Sequence, residues 1–134
     1  MQRNLEQAKT LLIEQQLTCV VLCETHTYTS TQRGIAPLMQ WLKEGVDMQG
    51  AYVADKVVGK AAAYLYVLLG VREVYAAVIS RPALDVLERY NIGTVYDMLV
   101  QAIRNRTDTG FCPMETAVLD IDDANEAYRV LNNL

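Results

Sequence analysis

The chain has 134 residues, 51% of them apolar and 21% charged, which is the composition of one globular domain, residues 1–134, and excludes disorder. A net charge of −4 speaks against a phosphate-backbone footprint, so nucleic acid is not an expected partner. The longest apolar run, residues 61–71, falls short of the ~20 residues of a membrane helix, and residues 1–16 lack the apolar core of a secretory signal. The expectation is therefore a cytoplasmic protein off the membrane, with Cys19, Cys23 and Cys112 as free thiols.

Residues 2–16 carry apolar positions at spacings of three and four and predict a helix. Residues 17–23 are rich in β-branched residues and Cys and predict a strand, which the Glu24-Thr25-His26 turn folds back into a second strand over 27–31. A helix follows over 35–44, with Leu38, Trp41 and Leu42 inward and Gly45 closing it. Residues 50–54 read as a short extended piece. Asp55 or a neighbour then starts a helix that is apolar almost all round and runs to Leu69, ended by Gly70. Residues 73–79 predict a central strand, and Pro82 opens a helix that continues to Tyr90. A short strand is expected over 94–96, and a helix over 97–104 with Asp97 as its cap. A loop over 107–110 leads to a short helix over 113–119. Asp123 and Glu126 form a capping-box pattern for a last helix ending near Leu131. A hairpin followed by strand–helix–strand units predicts a three-layer α/β/α sandwich with a mixed sheet of four or five strands and right-handed crossovers.

Four segments are candidates for chemistry. Cys19 and Cys23, four apart on a strand, stand ~13 Å apart at ~3.3 Å per residue and cannot share a zinc ion; His26 sits at a turn tip in water. No metal site and no cofactor are expected. In AYVADKVVGKAAA, Asp55, Lys56 and Lys60 are the only charges near an apolar helix. Lys56 and Lys60 share a face at i, i+4, Gly59 admits a close neighbour, and a helix start with two ammonium groups suits a phosphate or carboxylate. The plainer alternative is that Asp55 caps the helix, Gly59 admits packing, and the lysines reach water. In GFCPME, Pro113 makes Cys112 the cap of a helix, where a thiolate is stabilised. Glu115 either accepts the cap residue's N–H or opposes the thiolate. Ser80 and Arg81 follow a strand, where ligands of α/β sheets sit, although Ser80 also suits plain capping. Asp120, Asp122 and Asp123 read as charges that complement a helix start.

The runs TYTSTQRGIAPLMQWL, GAYVADKVVGKAAA, VYAAVISRPALDVLERY and GFCPMETAVLDIDD resemble a small bacterial and archaeal family of unknown function in the cytidine-deaminase-like fold superfamily. The resemblance covers residues 17–131 and implies that superfamily's three-layer sandwich. True deaminases carry H-A-E at one helix start and P-C-x-x-C at the next, with zinc between. The counterparts here are Lys60-Ala61-Ala62 and Pro82-Ala83-Leu84-Asp85-Val86. The proline is kept, and the ligands and the glutamate are not, so zinc-dependent deamination is not expected.

The leading expectation is a small-ligand protein or enzyme with a zinc-free crevice for an anionic, nucleotide-like molecule. Arg33, Asp55, Lys56, Gly59, Lys60, Ser80 and Arg81 would bind it, and Lys60, Cys112 or Glu115 would supply chemistry. The rivals are a noncatalytic homo-oligomer module, with tyrosines and Trp41 as its contacts, and a cysteine enzyme built on Cys112.

Overall fold

The computed structural model describes residues 4–104 and 112–134. Within them the order is α1 (Leu5–Glu14), β1 (Cys19–Leu22), β2 (Thr27–Ser30), α2 (Ala36–Glu44), β3 (Tyr52–Val58), α3 (Lys60–Leu69), β4 (Glu73–Ser80), α4 (Arg81–Arg89), β5 (Gly93–Val100), α5 (Pro113–Val118) and α6 (Ala124–Asn132). The five strands form one mixed sheet in the order β2-β1-β3-β4-β5. β1 runs antiparallel to both β2 and β3, while β3, β4 and β5 are parallel, joined through α3 and α4. The chain is thus of the α/β class with helices on both faces of the sheet.

The alternation of side chains along the strands divides the core. Val20, Leu22, Ala54 and Tyr75 face α1 and pack on Ala8 and Leu12. Val21, Val53, Val74 and Ala76 face the other way, into a larger core shared with α2, α3, α4 and α6. At its centre lies α3, whose Tyr64, Leu65 and Tyr66 have no exposed surface. Ala61, Ala62 and Ala63 let it sit close to its neighbours. α2 packs Leu38 and Trp41 inward, Leu42 is half-buried, and Trp41 meets Tyr28 of the hairpin edge-on at 5.9 Å.

Two expectations are corrected. The stretch from Asp55 to Val58 is strand, not helix: Asp55 pairs with Cys19 on one side and Ala76 on the other, and α3 begins only at Lys60 with Gly59 as its cap. A strand buried on both faces reads as a continuous apolar run, which sequence periodicity does not separate from a buried helix. Asp55 therefore caps no helix, and Lys56 and Lys60 share no helical face. The second correction concerns residues 97–100, which continue β5 instead of opening a helix. Asp97 accepts a hydrogen bond from Tyr75 Oη at 2.5 Å across the sheet; burial first, and this bond with the Asp97 charge second, push that phenol's pKa up to about 12. The loop expected over 107–110 lies outside the described residues. The helices expected at 2–16, 35–44, 82–90, 113–119 and from Asp123 are present with ends shifted by a few residues.

Burial of Asp55 builds a polar network inside the larger core. Its Oδ2 accepts from Tyr66 Oη at 2.6 Å, its Oδ1 accepts from the Val57 amide at 3.2 Å, and Cys19 Sγ lies 3.2 Å from the same Tyr66 hydroxyl. Desolvation pushes the Asp55 pKa up to about 7, against which the Tyr66 and backbone bonds work. The same burial, with Asp55 beside them, raises Cys19 and Tyr66. The folded state holds the Asp55 proton where the unfolded chain has lost it, so stability drains away as pH rises from about 4 to about 7. Asp55→Asn should lose that slope and become the more stable protein above pH 7, by at most roughly 4 kcal/mol. Urea unfolding of both proteins at pH 4.5 and pH 8 measures the difference.

Candidate functional site

The three parallel strands end in register. Val58 pairs with Ile79, Ile79 with Leu99, and Ser80 with Val100. Gly59 therefore stands level with Ser80 and Val100, and Lys60, Arg81 and Gln101 follow them along the carboxyl edge of the sheet. Two of these strands turn straight into helices, α3 at Lys60 and α4 at Arg81. This is where α/β sheets place their ligands. A hollow of about 130 Å³ opens there. Lys60 contributes from α3, and Ser80 and Pro82 from the start of α4. Gln101, Ala102 and Ile103 line it beyond β5, and Glu115, Thr116 and Leu119 close it from α5 and its end.

The start of α3 already holds an anion, and the anion is the protein's own. Glu115 Oε1 accepts from the Lys60 amide at 2.5 Å and Oε2 from the Ala61 amide at 2.8 Å. Gly59, the cap residue, has no side chain to satisfy these groups, so a carboxylate from 55 residues downstream does it. A Cβ at position 59 would overlap the Glu115 carboxyl group, which is why glycine stands there. Its backbone is extended, at φ −98°, and asks nothing of glycine by itself. Burial raises the Glu115 pKa, while the two amides and the Lys60 charge oppose the rise.

Lys60 answers in the opposite direction. Its ammonium donates to Leu119 O at 2.7 Å, at the carboxyl end of α5. Tyr64 Oη donates to Ile121 O at 2.6 Å, and Arg89 donates to Asp122 O at 2.8 Å and to Tyr64 Oη at 3.3 Å. Three side chains of α3 and α4 thus clasp three carbonyls of the turn between α5 and α6.

Among the residues expected from sequence, Lys60, Ser80 and Glu115 meet in the hollow, with Gly59 behind Glu115. Ser80 is also the plain cap of α4, its Oγ accepting from the Ala83 amide at 3.2 Å. Asp55 lies in the buried network under α3, and Lys56 is exposed on β3, its amide bonded to Thr18 O at 3.0 Å. Arg81 faces solvent beside Asp85 at 3.8 Å, and Arg33 is exposed on the connection between β2 and α2. Cys112 is the cap of α5 and half-buried, but it does not line the hollow. Its amide goes to Ile103 O at 3.1 Å, so the Glu115 carboxylate takes no part in capping α5. Trp41 is core, not interface. The exposed His26 bonds Thr25 at 2.8 Å. Among the described residues, no group of three or more His, Cys, Asp and Glu is placed to hold a metal ion, and no helix is long and apolar enough to cross a membrane. Gln101 to Ile103, Thr116 and Leu119 were missed. For residues 101–103 the signal was the β-rich run TVYDMLV, which ends at the edge where two other strands end; Thr116 and Leu119 carried none.

This geometry defines an α/β protein of one mixed sheet whose two crossover helices begin around a common hollow. The chain belongs to the DUF1893 family, described as a domain of unknown function, which matches residues 7–134. It is similar to the DUF1893 family protein TM1506 from Thermotoga maritima, known from a crystal structure at 2.70 Å. The two are 27% identical, with a TM-score of 0.89 over 99% of this chain and 91% of that one. Among curated proteins none matches.

Replacing Glu115 with alanine leaves two amides at the start of α3 without a partner in a half-buried place. The loss should be about 2–3 kcal/mol in urea unfolding. Lys60→Met keeps the stem and removes one more exposed bond, and about 1 kcal/mol is expected by the same measurement.

Proposed function

We propose that the protein binds a small anionic or nucleotide-like ligand in the hollow at the carboxyl edge of the sheet, on a deaminase-like fold without the zinc site. The observation that carries this reading is the convergence of two helix starts and the end of a third parallel strand on one cavity. The deaminase likeness has the same support: Lys60-Ala61-Ala62 opens α3 and Pro82 stands at the opening of α4, where such enzymes keep their ligand motifs.

The lining suits a polar group held on an apolar floor. Lys60, Ser80, Gln101 and Thr116 offer donors, and Pro82, Ile103 and Leu119 offer hydrocarbon. The Lys60 bond to Leu119 O uses one of the three donors of an ammonium group. As an enzyme, the protein would use Glu115 as its acid–base group, because that carboxyl borders the hollow and burial lifts its pKa. Inorganic phosphate, nucleoside monophosphates and sugar phosphates should be screened by thermal shift. A binder at a hundred times its Kd stabilises by about 2.7 kcal/mol. Gln101→Leu, which caps no helix, should weaken binding at least tenfold without moving the melting temperature of the free protein. Binding that survives Gln101→Leu at full strength, or no binder at all, overturns the reading.

A second reading, assembly with a second copy, is favoured by β5. Val95, Tyr96 and Met98 on this edge strand are 53%, 40% and 57% exposed, and long apolar edges invite pairing. Under this reading sedimentation shows a dimer that Met98→Glu dissociates; a monomer at all concentrations sinks it.

A further inference from the structure

The short helix α5 is held unlike any other helix of the fold. It buries one side chain, Val118, whereas α6 buries Ala124, Ala127 and Leu131. What fixes α5 is mainly polar: Glu115 on the first amides of α3, and the Cys112 amide on Ile103 O. Beyond its end the chain is clasped at Leu119, Ile121 and Asp122 by Lys60, Tyr64 and Arg89. One end of the element is therefore anchored to the core, and the other is tied by the Glu115 side chain, one backbone bond and the half-buried Met114.

The size of the hollow points the same way. About 130 Å³ admits a group the size of one ring, whereas sites for whole small molecules run to ~300–1,000 Å³. Glu115 and Thr116 form the wall that could give, since Leu119 is held by Lys60 and the other walls are the segment beyond β5 and the starts of two core helices.

We propose that α5 is a flap over the hollow, latched shut by the Glu115 carboxylate on the first two amides of α3 and swinging about the clasped turn at residues 119–122. Opening widens the cavity and bares the Lys60 and Ala61 amides together. What the flap admits rests on the ligand reading above; the motion does not. Gly59 makes the latch testable without touching a charge. Its backbone conformation tolerates alanine, and the added methyl group would push the Glu115 carboxyl out of its seat.

The experiment is amide hydrogen exchange by NMR on the ligand-free full chain. Amides of residues 114–118 should exchange at least tenfold faster than those of α6, because a six-residue helix is not stable by itself. The Lys60 and Ala61 amides should exchange at the rate of α5, and Leu65 to Leu69 far more slowly. Gly59→Ala and Glu115→Gln should each speed residues 114–118 at least tenfold, leave α6 within twofold, and add nothing to each other in the double variant. If α5 and α6 exchange together in the parent protein, or if either variant speeds both helices alike, the flap is overturned. Failure of the ligand screen alone leaves it standing, since no ligand enters the measurement.

Discussion

The local architecture of the edge depends on one carboxylate. A helix that starts directly from a buried strand exposes its first amides where no water can satisfy them all, and a glycine cap brings no side chain to help. Glu115 solves this from 55 residues away, and α5 lies against α3 because of it. The electrostatics reinforce the contact: a negative group meets the positive end of the α3 dipole, while Lys60 meets the carbonyl end of α5. Each helix supplies what the other's terminus lacks, and these polar contacts add to the packing of Val118 and Met114 in holding α5 in place.

Much of the fold was legible because its signals are local. The capping residues Ser80 and Asp123, the closing Gly45 and Gly70, and the β-branched run at 73–79 each act within a few residues of themselves. The two misreadings share a cause. Asp55 and Asp97 look like caps because aspartate before an apolar run usually is one. Both instead sit within strands and spend their carboxylates on tyrosines of neighbouring elements, Tyr66 and Tyr75. Nothing within a few residues of either aspartate names that partner. The hollow was half legible for the same reason. The start of α4 was legible from Pro82, whereas the start of α3 was read at Asp55 instead of Lys60, and its occupant, Glu115, is a tertiary fact. The expectation that an anion belongs at the start of α3 was sound physics; the anion comes from inside the chain.

This changes what Lys60 means. As an isolated ammonium at a helix start it suggests a ligand. Beside Tyr64 and Arg89 it is the first of three donors that fix the turn into α6, and its charge lies close to Glu115. A structural duty does not exclude contact with a ligand, because an ammonium has three donors. It does mean that loss of binding on removing Lys60 would not separate the two roles, whereas Gln101, which caps nothing, can.

The two shifted carboxyl groups differ in what surrounds them. Asp55 and Glu115 are both raised by burial, and both are opposed by hydrogen bonds. Asp55 is buried on β3 under α3, bonded to Tyr66 and the Val57 amide, so its proton answers to the stability of the core. Glu115 borders a cavity, rests on two amides that a different anion could also satisfy, and belongs to a helix of six residues. A perturbed acid becomes functional when a ligand can reach it and when its partners can change hands. Of the two, Glu115 alone lines the hollow, which is why the proposed ligand site is centred on the edge of the sheet and not on Asp55.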